Sequence, residues 1–402
     1  MLNQEARERL AEYLVNRIEE QNAYIFKKIG NTIKTIGIIN SSQAYQLQQI
    51  LKYGGSYEEI AKEIAKVSGK NIQDIYTIFD EVAKGNKDFA KQFYRYRGLD
   101  FIPYAKDYVL RQQVKSIADI TVKTYMNIAN TSGIGFLFQD INGQMTFKNI
   151  QQSYQEIIDR GILAVSQGKS TYQEEMRKII NDIGNNGVVL YESGRTRRLD
   201  SAVRMNLLDG IRKVSQETTR RFGEEYGADG VEITVHSNPA PDHADIQGRQ
   251  FSKEDYERLE NGQIALDYQG NRYSGYGRRH IGEYNCYHDI FNIVLGVSKP
   301  EYTDEELRRI QAENERGFEY EGKHYTMYEG TQLQRRIELE IRKQKDKQIL
   351  ARASGDDFKQ DVIDSQKKIT QLTHKYNDLC KISGLLPKKQ RMTVSGYRRV
   401  KV

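Results

Sequence analysis

The side chains best suited to metal chemistry are crowded into one stretch of the sequence. Four of the six histidines lie between His236 and His288, and Cys286, one of only two cysteines, lies among them. Imidazole nitrogen and thiolate sulfur are good zinc donors, and a structural zinc ion takes four such ligands. One hypothesis is therefore a zinc site whose ligands are His236, His243, Cys286 and His288.

The spacing of these donors does not by itself select zinc. Structural zinc sites usually take two ligands from a knuckle with two to four intervening residues, whereas only Tyr287 separates Cys286 from His288. In an extended strand these two side chains would share a face, so they could still bind one ion. The same residues also fit a polar core of satisfied hydrogen bonds that needs no cofactor.

Catalysis is the second chemistry that these residue types allow. Cys286 with a nearby histidine could act as nucleophile and base, and His243 with Asp242 or Asp245 could do acid–base work on a phosphodiester. An alternative function is therefore a zinc-dependent or histidine-based nucleic-acid hydrolase. No nucleophile elbow, HExxH pair or phosphate loop supports it.

The segment Gly168-Lys169-Ser170 only superficially resembles a phosphate loop. That loop needs a glycine five residues before Gly168, and Leu163 stands there. A helix that ends at Gly168 explains the segment better, with Thr171 and Glu174 as the capping box of the next helix.

The elements around the histidines predict a small α+β module over residues 227–300. Val231 to Val235 alternates as a strand does, and a hairpin is expected near Tyr268 to Tyr273. Together they would form a compact, glycine-rich unit that positions the histidines and Cys286.

Residues 1–226 predict a long helical region. The five prolines stand at positions 103, 239, 241, 300 and 387, so they leave most of this region uninterrupted. Apolar residues from Leu10 to Ile25 recur at helical spacing, and Ile60, Ile64 and Val67 form a second, shorter stripe. A hairpin is expected around Asn142-Gly143. The predicted fold class is mainly α, with a basic helical tail over residues 301–402 after the module.

Positive charge is concentrated at the C-terminal end. Residues 331–402 hold 18 Lys and Arg against 8 Asp and Glu, whereas the whole chain has a net charge of +6. Such an excess suits non-specific contact with nucleic acid, although a solvated basic tail would look the same. The residues predicted to bind nucleic acid are Arg335, Arg336, Arg342, Lys343, Lys345, Lys347, Lys388, Lys389, Arg391, Arg398 and Arg399.

Two further expectations concern these basic segments. The end from Lys388 to Val402 has little core material and is expected to be mobile until it binds a partner. The helix from Leu199 to Val214 carries Arg204, Arg212 and Lys213 beside its apolar residues, and it is the alternative surface for nucleic acid.

Several classes of protein are excluded. No run of 18 apolar residues is present, so no membrane span is expected. The first residues carry charges where a secretion signal would be apolar, and two cysteines cannot make a disulfide framework.

The module and its surroundings resemble the phage minor capsid protein 2 family, which is related to the Mu F-like head-morphogenesis proteins of tailed phages. The match follows an ordered pattern of histidines, glycines and one asparagine–cysteine step, with looser similarity along most of the chain. Its members here are His236, Pro241, His243, Gln247, Gly248, Gly275, Tyr276, Gly277, Gly282, Asn285, Cys286, His288, Gly296 and Ser298. The chain departs from the family pattern at Ala240, Ile246 and Tyr287.

The resemblance implies a role in the virion. Such a protein would be a low-copy internal head component, with residues 1–226 associating with the portal protein or the major capsid protein. It would contact packaged double-stranded DNA non-specifically and would have no membrane partner. Its expected location is the inner capsid or portal vertex, and the host cytoplasm during assembly.

Overall fold

The computed structural model describes residues 4–38, 56–130, 132–140, 142–192, 195–283 and 286–401, and this part of the chain is mainly helical, as predicted. The helices are α1 Gln4–Gly37, α2 Ser56–Arg97, α3 Tyr108–Ile128, α4 Ile150–Ser166, α5 Lys169–Asn186, α6 Leu199–Glu225, α7 Lys253–Glu260, α8 Asp304–Arg316, α9 Met327–Ala353 and α10 Lys359–Ser383. The strands are β1 Ile134–Gln139, β2 Met145–Asn149, β3 Val189–Glu192, β4 Arg195–Arg198, β5 Gly230–Ile233, β6 Gln250–Ser252, β7 Ile264–Leu266, β8 Arg272–Ser274, β9 Ile290–Ile293, β10 Phe318–Tyr320 and β11 Lys323–Tyr325.

The chain forms two compact units, each assembled from three separated segments. The first unit comprises Met1–Ala11, Gln73–Val122 and Met205–Gln332, and the second comprises Glu12–Ile72, Lys123–Arg204 and Leu333–Val402. The domains predicted over 1–226, 227–300 and 301–402 are continuous segments, and that division stays a prediction.

A four-stranded antiparallel sheet with the order β2-β1-β3-β4 belongs to the second unit. Its β1–β2 hairpin confirms the one predicted at Asn142-Gly143. Gly135 on β1 is required by close packing, because a Cβ atom there would lie 1.9 Å from the carbonyl oxygen of Lys148 on β2. The face of β1 that carries Ile134, Phe136 and Phe138 is buried.

The capping box predicted at Thr171 and Glu174 is wrong. Helix α5 begins at Lys169, and its N-cap is Gly168, with φ +115° and no side-chain cap. The Tyr172 N–H donates to the Gly168 carbonyl at 3.1 Å, so the first helical hydrogen bond already starts at the glycine. A positive φ at Gly168 turns the chain directly from α4 into α5, which leaves no turn for Thr171 to cap.

The predicted α+β module contains the three-stranded antiparallel sheet β6-β5-β9 in the first unit. The hairpin expected near Tyr268 to Tyr273 is confirmed as β7 and β8. Burial of apolar side chains from the sheet, α7 and the loops supplies the main stabilisation. This core consists of Val231, Ile233, Ile246, Phe251, Leu259, Ala265 and Ile281.

Within the predicted helical tail over residues 301–402, α9 and α10 are the long helices, with Ser354 and Gly355 between them. The segment after α10 differs from the expected mobile end, because it makes specific contacts within the second unit. The Lys388 N–H donates to the Tyr376 hydroxyl at 2.7 Å, and the Tyr397 hydroxyl donates to the buried Gln366 Oε1 at 2.9 Å. Across the described residues no helix has the length and apolar character that a bilayer span requires.

Candidate functional site

The edge of the β6-β5-β9 sheet brings together the two chain segments that carry the histidines. Ile233, the last residue of β5, pairs with Ile290, the first residue of β9. Because the two strands are antiparallel, the chain leaving β5 and the chain entering β9 meet at the same end. Two hydrogen bonds extend the pairing, from Thr234 N to the Asp289 carbonyl at 2.9 Å and from Asp289 N to Thr234 Oγ1 at 2.8 Å.

The loop after β5 folds back to place His243 and Gln247 beside this edge. His243 N donates to the Ala240 carbonyl at 3.0 Å, and Gln247 N donates to the His243 carbonyl at 3.2 Å. Gly248, with φ +70°, then returns the chain to β5 through a 2.8 Å bond from its N–H to the Ile233 carbonyl. The loop is thereby fixed by backbone contacts on both sides of the histidine.

His243, Cys286 and His288 converge on one point, and we call them the His–Cys–His group. Cys286 Sγ lies 3.5 Å from His243 Nδ1 and 3.6 Å from His288 Nδ1. One donor atom from each residue lies within 4.8 Å of the other two, and all three side chains are buried. Cys286 and His288 precede β9 instead of lying on a strand, so a shared strand face is not what unites them.

The far side of each imidazole is held by an oxygen that can only accept. His243 Nε2 donates to the Arg279 carbonyl at 2.8 Å, and His288 Nε2 donates to Gln247 Oε1 at 3.1 Å. The same Oε1 accepts the His236 backbone N–H at 2.8 Å, which fixes the orientation of the glutamine amide. Both imidazoles therefore carry a proton on Nε2 and direct Nδ1 at the sulfur.

These contacts change the acidity of the cysteine. Burial acts to raise the pKa of Cys286, but hydrogen bonds from His243, His288 and the Gly282 backbone outweigh it and lower the pKa to about 5. Burial acts to lower the pKa of His243, and its bonds to Cys286 and to the Arg279 carbonyl raise it overall. These contacts favour the thiolate form of Cys286, which is the form that binds metals.

His236, the fourth predicted zinc ligand, has a different environment. Its Nδ1 accepts the Asn238 N–H at 3.1 Å. Its ring stacks on Tyr287 with centroids 5.3 Å apart. The cluster of potential ligand atoms found in the described residues contains His243, Cys286 and His288 but not His236.

Ion pairs hold the loops around the group. Arg279 Nε donates to Asp242 Oδ2 at 2.7 Å, and Arg278 NH1 donates to Asp245 Oδ1 at 2.6 Å. Burial acts to raise the pKa of Asp242, but Arg279 and His243 lower it to about 2. These carboxylates, which the hydrolase alternative uses as acid–base partners, are engaged by arginines in the structure.

Some residues predicted to bind nucleic acid point into the second unit. Arg342 donates to Glu19 Oε1 at 2.9 Å and also pairs with Asp200. Lys345 donates to the Met392 carbonyl at 2.6 Å and lies 4.8 Å from the centre of the Tyr397 ring. Four of the remaining predicted residues are exposed: Arg336, Lys389, Arg398 and Arg399. The other five are half-buried: Arg335, Lys343, Lys347, Lys388 and Arg391.

Arg342 belongs to a buried group that the sequence did not predict, which we call the arginine–aspartate cluster. Its members are Glu19, Arg198, Asp200, Arg342 and Asp346. Arg198 NH2 bridges Asp200 Oδ2 at 3.0 Å and Asp346 Oδ2 at 2.9 Å.

The helix from Leu199 to Val214 was the alternative surface for nucleic acid. One of its basic residues, Arg212, is instead buried and donates to the Glu283 carbonyl at 3.0 Å.

The sequence model of the family described as phage minor capsid protein 2 matches residues 2–381, nearly the whole chain. The chain belongs to the phage minor capsid protein 2 family. This minor capsid protein is therefore a structural component of the phage head, and the resemblance noted in its sequence is confirmed. No curated protein and no solved structure matches the chain significantly.

The match includes the module and both helices α9 and α10, but it ends before the last basic residues. Lys388, Lys389, Arg391, Arg398 and Arg399 all lie beyond position 381. Family membership consequently bears on the His–Cys–His group more directly than on the basic end of this minor capsid protein.

Proposed function

We propose that this minor capsid protein contacts packaged double-stranded DNA through its C-terminal end while other surfaces bind the portal protein or the major capsid protein. The observation that supports DNA contact is an open cleft of about 690 Å³ along α10. It is lined by Lys367, Arg399 and Lys401 together with Gln366, Thr370, Gln371 and Val400, and no carboxylate is among them.

This composition suits a phosphate backbone. Three cations give the cleft a positive potential, and the glutamine and threonine side chains offer hydrogen bonds without sequence preference. Lys367, Arg399 and Lys401 are also exposed, so the contact needs no rearrangement of the core. Lys367 and Lys401 were not among the predicted residues, and only the fold brings Lys367 beside Arg399.

DNA binding is tested by replacing Lys367, Arg399 and Lys401 with alanine together. Each lost phosphate contact should reduce the slope of log Kd against log salt by about 0.9, so the triple variant should lose a slope of roughly 2 to 3. Point substitutions are preferable to deleting residues 331–402, because that deletion would remove Ile341, Leu350 and Tyr376 from the core.

The matched control replaces Lys62, Lys66 and Lys70, three exposed lysines on α2, and removes the same charge. If both triple variants weaken binding equally with the same slope, attraction is due to net charge and the cleft has no role. If the slope changes only in the cleft variant, the proposal stands.

The partner surface is proposed from exposed apolar side chains between α2 and α3. Leu99, Ile102, Tyr108 and Val109 are all exposed, around the buried Tyr104 and Leu110. Such a patch is typical of a protein–protein contact.

Ile102→Asp with Val109→Asp should abolish co-purification with the portal protein or major capsid protein of the same phage. Leu163→Asp, at another exposed apolar position, should not; equal loss in both variants would refute this surface.

The hydrolase alternative gains no support from the geometry. His243, Cys286 and His288 are buried to between 1% and 3% exposure, so a phosphodiester does not reach them in this conformation.

A further inference from the structure

The His–Cys–His group presents a problem of proton count. Each imidazole uses its Nε2 proton on an outside oxygen, which leaves two Nδ1 atoms facing a single sulfur. One proton is shared by the sulfur and the two Nδ1 atoms, whether the group is a thiol with neutral imidazoles or a thiolate beside one imidazolium. Only one of the two short contacts can then be a hydrogen bond, and the other sets lone pair against lone pair. A cation at the centre would satisfy all three donor atoms at once.

We propose that His243 Nδ1, Cys286 Sγ and His288 Nδ1 bind one Zn²⁺ ion. With Zn–S of about 2.3 Å, Zn–N of about 2.0 to 2.1 Å and tetrahedral angles, the sulfur and each nitrogen lie roughly 3.6 Å apart. The observed separations are 3.5 and 3.6 Å. The distances from the sulfur to the two nitrogens therefore already match those of a tetrahedral ion, and all three donor atoms lie within 4.8 Å of one another.

The surroundings have the features of a metal site as well. Imidazoles that bind a metal usually donate their other ring N–H to a carbonyl or carboxylate, which fixes the tautomer and the ring. The Arg279 carbonyl and Gln247 Oε1 do this for the two histidines. Gln247 is itself buried and held in place by the His236 backbone N–H.

The donor set favours zinc over the hard divalent ions magnesium and calcium. A thiolate with two imidazoles is a borderline-soft set that suits Zn²⁺ and gives magnesium or calcium no oxygen ligands. The group supplies three ligands, and the fourth position of the ion is filled by a water molecule or another donor from outside the group. His236, whose Nδ1 already accepts the Asn238 N–H, is not needed.

The test uses the full-length protein, stripped with a chelator and titrated with Zn²⁺ and separately with Co²⁺. We expect one equivalent of either ion to bind. The cobalt protein should show a thiolate-to-cobalt charge-transfer band in the near ultraviolet and intense visible bands of tetrahedral geometry. Cys286→Ala should remove the charge-transfer band, and His288→Ala should lower the affinity strongly.

Cys380→Ala is the matched control, because Cys380 is also buried but accepts a hydrogen bond from Gln334 Nε2 at 3.3 Å and has no imidazole partner. It should leave the cobalt spectrum unchanged. Gln247→Ala retains all three ligands, so it should bind zinc about 10 to 100-fold more weakly while keeping the spectrum tetrahedral.

Two results would overturn the proposal. One is the absence of stoichiometric binding by the folded, stripped protein at micromolar ion. The other is a cobalt spectrum that survives Cys286→Ala or disappears equally in Cys380→Ala. Circular dichroism of each stripped variant shows whether it is folded, and an unfolded Cys286→Ala is replaced by Cys286→Ser, which preserves the size of the side chain.

Discussion

The His–Cys–His group in the first unit and the arginine–aspartate cluster in the second are both buried sets of ionisable side chains, but their charges are arranged differently. In the cluster, two guanidinium groups face three carboxylates, so donors meet acceptors. In the His–Cys–His group, three donor atoms for a metal converge on one another. The comparison separates a group of paired opposite charges from a group whose potential ligand atoms face a common centre.

The cluster also shows how unequal pairing changes acidity. Burial acts to raise the pKa of Asp200, but Arg198 and Arg342 together hold it well below its usual range. Asp346 faces Arg198 at 2.9 Å, yet burial dominates and raises its pKa. Both directions follow from geometry, because Asp200 pairs with both arginines and also accepts the Ser201 N–H.

The largest expected effect comes from breaking the cluster. Asp200→Ala leaves Arg198 and Arg342 without one shared carboxylate, and a guanidinium cannot release its proton to escape the buried charge. The variant should lower the free energy of unfolding by about 3 to 5 kcal/mol, measured by urea denaturation.

The matched control for that prediction is Glu224→Ala, also on α6. It breaks an exposed pair with Arg220 at 2.5 Å and should cost less than about 1 kcal/mol. Equal losses in the two variants would mean that the cluster adds nothing beyond an ordinary surface pair.

A second, intermediate effect concerns pH. Burial raises the pKa of Glu19 from 4.5 to about 7, with Arg342 opposing the rise. Because the folded protein then holds this proton more tightly than the unfolded chain, its contribution to stability is lost as pH rises from about 4.5 through 7. The full penalty above pH 7 is of order 3 kcal/mol.

Glu19→Gln removes this titration, so the variant should gain stability relative to the parent protein as pH rises from 5 to 8. Urea denaturation at several pH values measures the difference. A constant difference across this range would show that Glu19 does not titrate in it, and Glu12→Gln, which lies earlier on α1, provides the control.

The smallest effect is expected in the His–Cys–His group when no ion is bound. Without the Cys286 sulfur, His243 can be a neutral imidazole, so no unpaired buried charge remains. Cys286→Ala in chelator-stripped protein should therefore cost about 1 kcal/mol, less than Asp200→Ala, as measured by urea denaturation. A loss as large as that of Asp200→Ala would show that thiolate and imidazolium behave as a fixed ion pair and would remove the contrast between the two groups.

Hydrophobic periodicity and turn residues predicted the mainly helical fold, the β1–β2 and β7–β8 hairpins and the α+β module, because each depends on local spacing. The pairing of β3 with β4 was not predicted. The start of α5 was missed because the φ of Gly168 is not encoded in the Thr171–Glu174 pattern. Residue types located the histidine-rich stretch and suggested zinc as one interpretation, and zinc binding stays a prediction.

Only the tertiary structure decided which residues meet. The pairing of β5 with β9 brings His243 to Cys286 and His288 while His236 stacks on Tyr287. Likewise, folding turns Arg342 and Lys345 inward and gathers Lys367, Arg399 and Lys401 along α10. Residue type and local spacing are properties of the sequence, whereas the direction of a side chain depends on contacts between segments far apart in the chain, and these are fixed only when the core packs.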